Sequence, residues 1–100
     1  MARRPSIPIA CTLGPDDAVA QLGEWTVLQG ELVHSEPVPG GYRLVFPAGL
    51  ADQVRDLARR EAGCCAFLDL EVTAEAHTVA VTITSPDPQA MPVIELLAGR

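Results

Sequence analysis

The chain contains no lysine, only two histidines and four aromatic residues, and no apolar run near the roughly 18 residues that a membrane span requires. Each shortage excludes something. Seven arginines against thirteen carboxylates leave a net charge of −6. The arginines are scattered as Arg3/Arg4, Arg43, Arg55/Arg59/Arg60 and Arg100. No basic face exists for duplex nucleic acid, and no basic amphipathic helix for a membrane surface. Ser6, Ser35 and Ser85 have no G-x-S-x-G context, which removes the hydrolase elbow. Pro39-Gly40-Gly41 is followed by no Lys-Ser/Thr and opens no helix, so it is a turn and not a phosphate loop. No C-x-x-C pairs occur, and a closed structural zinc site is not indicated.

What is present suffices for one small domain. The 100 residues are 48% hydrophobic, without repeats, low-complexity tracts or a dividing linker, and they read as a single domain over 1–100 with a tail at 1–5. Arg3-Arg4 followed by Ile7-Pro8-Ile9-Ala10-Cys11 has the outline of a lipoprotein signal. Its apolar stretch of about four residues, broken by Pro8, is shorter than the 7–15 that such a signal uses. The chain therefore reads as cytoplasmic. In a reducing compartment, three cysteines point to metal binding, thiol chemistry or burial and not to a disulfide framework.

Hydrophobic periodicity orders the elements. Ile7, Ile9 and Cys11 alternate as a short strand over 7–11 that tolerates Pro8 at a sheet edge. Pro15-Asp16-Asp17 suits a helix start, and Ala18, Val19, Leu22, Trp25, Thr26 and Gln29 continue it over 15–29. Strands at 32–38 and 42–46 flank the glycine turn, with Tyr42, Leu44 and Phe46 facing one way and Arg43 and Val45 the other. A helix over 50–62 buries Leu50, Val54, Leu57 and Ala58. Strands at 67–73 and 78–84 form a second hairpin, and Pro86-Asp87-Pro88 opens a final helix. The order β-α-β-β-α-β-β-α predicts an α+β fold, an antiparallel sheet with helices on its apolar face. Its first six elements match the ferredoxin-like order, plus a further strand and a C-terminal helix.

The chemistry rests on Cys11, Cys64 and Cys65. Neighbouring Cα atoms lie 3.8 Å apart, below the usual 4.4–6.8 Å range of disulfides, so a Cys64–Cys65 bond would be strained. Two adjacent thiolates suit a soft cation such as Hg(II), Zn(II) or Cu(I). Cys11 lies at a helix start, which favours a thiolate; Cys64 and Cys65 lie at a helix end, which does not. Arg60, four residues before Cys64, is expected to supply compensating charge. In a ferredoxin-like sheet the first strand is central, and its exit brings Cys11 to the sheet end where Cys64 and Cys65 enter. Burial as small hydrophobes is the competing account of all three.

Glu61 falls in the stripe of Val54, Leu57 and Ala58, one turn before the cysteines. It serves either as a proton acceptor or supporting ligand there, or, on the favoured reading, as a helix-end side chain that reaches solvent or pairs with an arginine. Trp25 is expected in the core, and His34 and His77 are assigned to surface or structure.

Ile9-Ala10-Cys11-Thr12-Leu13, Trp25 in a helix, and Glu61-Ala62-Gly63-Cys64-Cys65-Ala66-Phe67 together resemble a small bacterial domain with an A-C-T-L start and an E-x-x-C-C-P-F segment, associated with mercury-type metal-responsive regulators. The resemblance runs from about Ile9 to Leu97. It implies heavy-metal handling and heavy-metal resistance, Cys11, Cys64 and Cys65 as ligands with Glu61 nearby, and a regulator as partner. Ala66 stands where that pattern has proline, which removes a rigid bend after the pair. The sequence is compatible with three functions: a metal-capturing module, a cysteine-dependent enzyme of thiol redox or carbon–metal bond cleavage, and an interaction domain with structural cysteines. It leaves a homodimer open and indicates no organic cofactor.

Overall fold

The strand with the most apolar sequence, Thr78–Thr84, lies inside the sheet. The computed structural model describes residues 15–100, with side chains from Val19 onward. The elements are α1 (Pro15–Gln29), β1 (His34–Val38), β2 (Gly41–Pro47), α2 (Ala51–Cys64), β3 (Asp69–Ala74), β4 (Thr78–Thr84) and α3 (Met91–Ala98). Single 3-10 turns at Ala48–Leu50 and Pro88–Ala90 lead into α2 and α3. All strand pairs are antiparallel, in the order β1-β2-β4-β3.

Register puts the apolar residues in rows across one face: Tyr42–Ile83–Leu70, Leu44–Val81–Val72 and Phe46–Val79–Ala74. The side-chain period of two keeps these rows on the same side, where Leu44, Phe46, Val79, Val81 and Ile83 are fully buried. The helices cover that face with Trp25 and Leu28 from α1, Val54, Leu57 and Ala58 from α2, and Ile94, Leu97 and Ala98 from α3. The other face carries Arg43, Glu71 and Thr82, with Arg43 pairing Glu36 and Glu75. The α+β class and the one-sided antiparallel sheet agree with the sequence pattern. Among the described residues, no helix is long and apolar enough to cross a membrane.

Strand order departs from the ferredoxin-like expectation. That order places the 7–11 segment, which lies outside the described residues, between the strands at 42–46 and 67–73. Instead β4 occupies this position, paired with β2 on one side and β3 on the other. The reason is visible in composition: Val79, Ala80, Val81 and Ile83 are all buried, as a central strand requires, whereas β1 carries Pro37, which a sheet edge accommodates.

The first hairpin is tighter than expected. Val38 pairs with Gly41, leaving a two-residue loop of Pro39 and Gly40. Proline followed by a glycine at φ 82° suits a type II turn. Gly41 has a different constraint, since a Cβ there would lie 1.8 Å from the Ile83 carbonyl oxygen. Gln29 of α1 donates to the carbonyls of Leu96 and Leu97, and Gly99 at φ 75° closes the end of α3 in a left-handed cap.

Candidate metal centre

The site forms where two buried stripes meet. On α2, Val54, Leu57, Ala58, Glu61 and Cys64 are the buried positions, spaced by three and four residues along one face. On α1, Gln21, Trp25 and Leu28 do the same, while Val19 and Thr26 of the expected stripe are exposed. Gln21 was missed by pattern reading because glutamine is ordinarily assigned to a polar face. Its position four residues before Trp25 and seven before Leu28 was the available signal.

Glu61 does not reach for solvent. Its residue is 6% exposed, and its Oε1 accepts from Trp25 Nε1 at 2.8 Å and from Gln21 Nε2 at 2.9 Å. Its Oε2 accepts from Cys65 Sγ at 2.9 Å and lies 3.9 Å from Cys64 Sγ. Every one of these contacts presents a donor to the carboxylate. Leaving such a group bare in a core costs several kcal/mol. Hydrogen bonds to a charged partner return about 1.5–3 kcal/mol each. Trp25, fully buried as expected, is thus a packing residue and a donor together.

Adjacent residues on a continuous helix do not face one another. The helix continues through Gly63 and ends at Cys64, and Cys65 leaves helical geometry with φ −123° and ψ 78°. This turn of the backbone brings the two sulfurs to 3.5 Å. That separation is far above the roughly 2.05 Å of a disulfide, so the pair is not bonded to itself. Gln21 Nε2 lies 3.4 Å from Cys64 Sγ and ties α1 to the pair. The bend after the pair closes without proline: Leu68 N–H donates to Cys65 O at 2.9 Å, with Ala66 at the first central position of the turn, where proline is favoured.

One ligand atom from each of Glu61, Cys64 and Cys65 lies within 4.8 Å of the others, and all three residues are buried. These groups could hold a metal ion. With metal–sulfur bonds of about 2.3 Å, the 3.5 Å sulfur separation subtends about 100° at the ion, near a tetrahedral angle. A linear two-sulfur site would need about 4.6 Å with the same bonds. Cys11 lies outside the described residues. Arg60 does not serve the sulfurs with its charge: its guanidinium is bonded to Glu24 and Asp56. His34 is exposed beside Glu36, and His77 is exposed in the second hairpin turn.

The Arg60–Glu24 pair closes α1 on α2 from the solvent side at 2.6 Å. The Arg60 hydrogen bond holds the Glu24 carboxylate below its ordinary value of 4.5. No family model, curated protein or solved structure matches this chain.

Two predictions follow from this geometry. Trp25→Phe removes the indole donor and should cost about 2–3 kcal/mol in urea denaturation. In a double-mutant cycle with Glu61→Gln the losses should be clearly non-additive, and simple additivity would count against the carboxylate–indole bond. For Glu24, a folded-state value below the unfolded one means stabilisation that is complete above about pH 4.5 and is lost as the pH falls through the folded value. Both side chains are over a third exposed, so Glu24→Gln should lose at most about 1 kcal/mol at pH 7. At a pH below the folded value the variant should match the parent in thermal unfolding.

Proposed function

We propose that this chain is a cytoplasmic module that captures a soft, thiophilic ion at Cys64 and Cys65, with Cys11 as a third sulfur. The observation that carries this reading is the buried cluster of two sulfurs and one carboxylate within 4.8 Å. Sulfur donors select soft ions, and Hg(II) is the one that the sequence resemblance implies. Chain length supports the assignment of Cys11. Gln21 touches Cys64, Pro15 is six helical residues or about 9 Å upstream. The four-residue span from Cys11 to Pro15 reaches at most about 14 Å. Glu61, already accepting from Cys65, takes up the thiol proton as the ion binds, or contributes an oxygen to it. The captured ion is then sequestered or passed to a metal-responsive regulator.

The 2.9 Å contact between Cys65 and Glu61 also supports a second reading, an enzyme with Cys65 as nucleophile and Glu61 as its base, in thiol redox chemistry or carbon–metal bond cleavage.

Titration of the reduced chain with Hg(II) against a competing chelator tests the first reading. Cys64→Ser and Cys65→Ser should each weaken binding by at least about 100-fold, which is about 2.7 kcal/mol, and Cys11→Ser by a smaller factor. Parental affinity in both variants of the pair would eliminate the site. Alkylation separates the two readings: fast modification of Cys65 alone near about pH 6 favours the enzyme, and slow modification of all three cysteines favours capture.

A further inference from the structure

The proposed capture site leaves open which chemical species it takes, and the geometry and burial of the cluster narrow the choice. The geometry enters through the bite. At bonds of about 2.3 Å, a 3.5 Å sulfur separation gives about 100°, whereas a trigonal planar centre would need sulfurs about 4.0 Å apart. A trivalent p-block centre with a lone pair is pyramidal and holds its ligands between a right angle and the tetrahedral angle. The bite matches it.

The site is also deeply buried, with Glu61, Cys64 and Cys65 only 6%, 7% and 2% exposed, where a neutral dithiolate is favoured over a charged one. A species that brings its own covalent substituent forms such a dithiolate with the two sulfurs alone and asks no bond of Glu61, which keeps its hydrogen bonds to Trp25 and Gln21.

We infer that the Cys64–Cys65 pair binds trivalent mono-organic arsenicals as a dithiolate, with Glu61 relaying the released thiol protons. This rests on the reading of the pair as a soft-ligand site and names its substrate class. The reaction balances without any oxidant or reductant. Methylarsonous acid carries one carbon and two hydroxyls on arsenic. Two S–H and two As–O bonds break, two As–S and two O–H bonds form, and two waters leave. Arsenic remains trivalent and both sulfurs remain at the thiol level. Cys65 gives its proton to Glu61 Oε2 at 2.9 Å, and the carboxyl hands it to the departing hydroxyl. Cys64, 3.9 Å from the same oxygen, follows in the second exchange. A bridging arsenic also fits where a direct sulfur–sulfur bond is strained, since it spans two side chains whose Cα atoms are only about 3.8 Å apart.

The test uses the full-length reduced chain with one equivalent of methylarsonous acid, read by intact mass spectrometry and by alkylation mapping. The expected result is one arsenic per chain with loss of two waters, and Cys64 and Cys65 both protected from alkylation while Cys11 is not. The Cys11→Ser variant should retain the adduct, and Cys64→Ser and Cys65→Ser should each weaken it by at least about tenfold. Glu61→Gln should slow capture by about 100-fold. No adduct, protection that includes Cys11, or an undiminished adduct in Cys64→Ser would each overturn the inference; an unchanged rate in Glu61→Gln would overturn the relay. A parallel Hg(II) titration keeps the two proposals apart. Hg(II) binding without arsenical capture sinks the present inference alone, and failure of both sinks the soft-ligand reading with it.

Discussion

A carboxylate inside an apolar core must be surrounded by donors, and Glu61 shows how much of a small domain that requirement organises. Its two oxygens divide their work: Oε1 takes the Trp25 indole and the Gln21 amide, and Oε2 faces the sulfurs. The donors on Oε1 come from α1, while the carboxylate and the sulfurs belong to the end of α2. One buried charge thereby fixes the register of two helices and the direction in which its second oxygen points. Removing any donor leaves the acceptor under-satisfied, which is the costly side of buried hydrogen bonding. Gln21 carries an added duty, since its amide reaches both Glu61 and Cys64.

The scaffold presents this arrangement economically. Each half of the described chain is a helix followed by a hairpin, and the halves join through β2 and β4, the second strand of each hairpin. The cysteines fall at the junction between α2 and β3, where the backbone has to stop being helical. That change of direction lets consecutive side chains converge, which a continuous helix forbids. The closed turn from Cys65 to Leu68 then fixes the exit into β3. On the outside, Arg60 joins Glu24 and Asp56, so the same two helices are tied once by a wet ion pair and once by a dry carboxylate. The dry contact is the stronger constraint, because water screens the exposed pair.

Much of the fold was legible in the residue pattern. The helix over 15–29 and the strand over 78–84 match the observed bounds, and the alternation of Tyr42, Leu44 and Phe46 against Arg43 and Val45 gives the correct faces of β2. Strand order was not legible, because periodicity reports which face is buried and carries no information on which strand lies beside which. The site divides in the same way. The spacing of Glu61, Cys64 and Cys65 put them within about one turn at the end of one helix, so their nearness was local information, while the meeting of the two sulfurs needed the helix to stop at Cys64. The solvent-reaching role given to Glu61 failed because its partners are distant: Trp25 and Gln21 lie 36 and 40 residues away along the chain.

By itself, then, the sequence determined the class of the fold, the single apolar face of its sheet and the nearness along the chain of one carboxylate to two thiols, since each follows from spacing within a few residues. Only the tertiary structure decided that β4 sits at the centre of the sheet, that Arg60 belongs to Glu24 and Asp56 and not to the sulfurs, and that Glu61 is held in the interior. Those outcomes depend on which donors and apolar surfaces remote segments bring to one place. Burial turns that meeting into a strong preference, because an unpartnered carboxylate in the core has no water to fall back on.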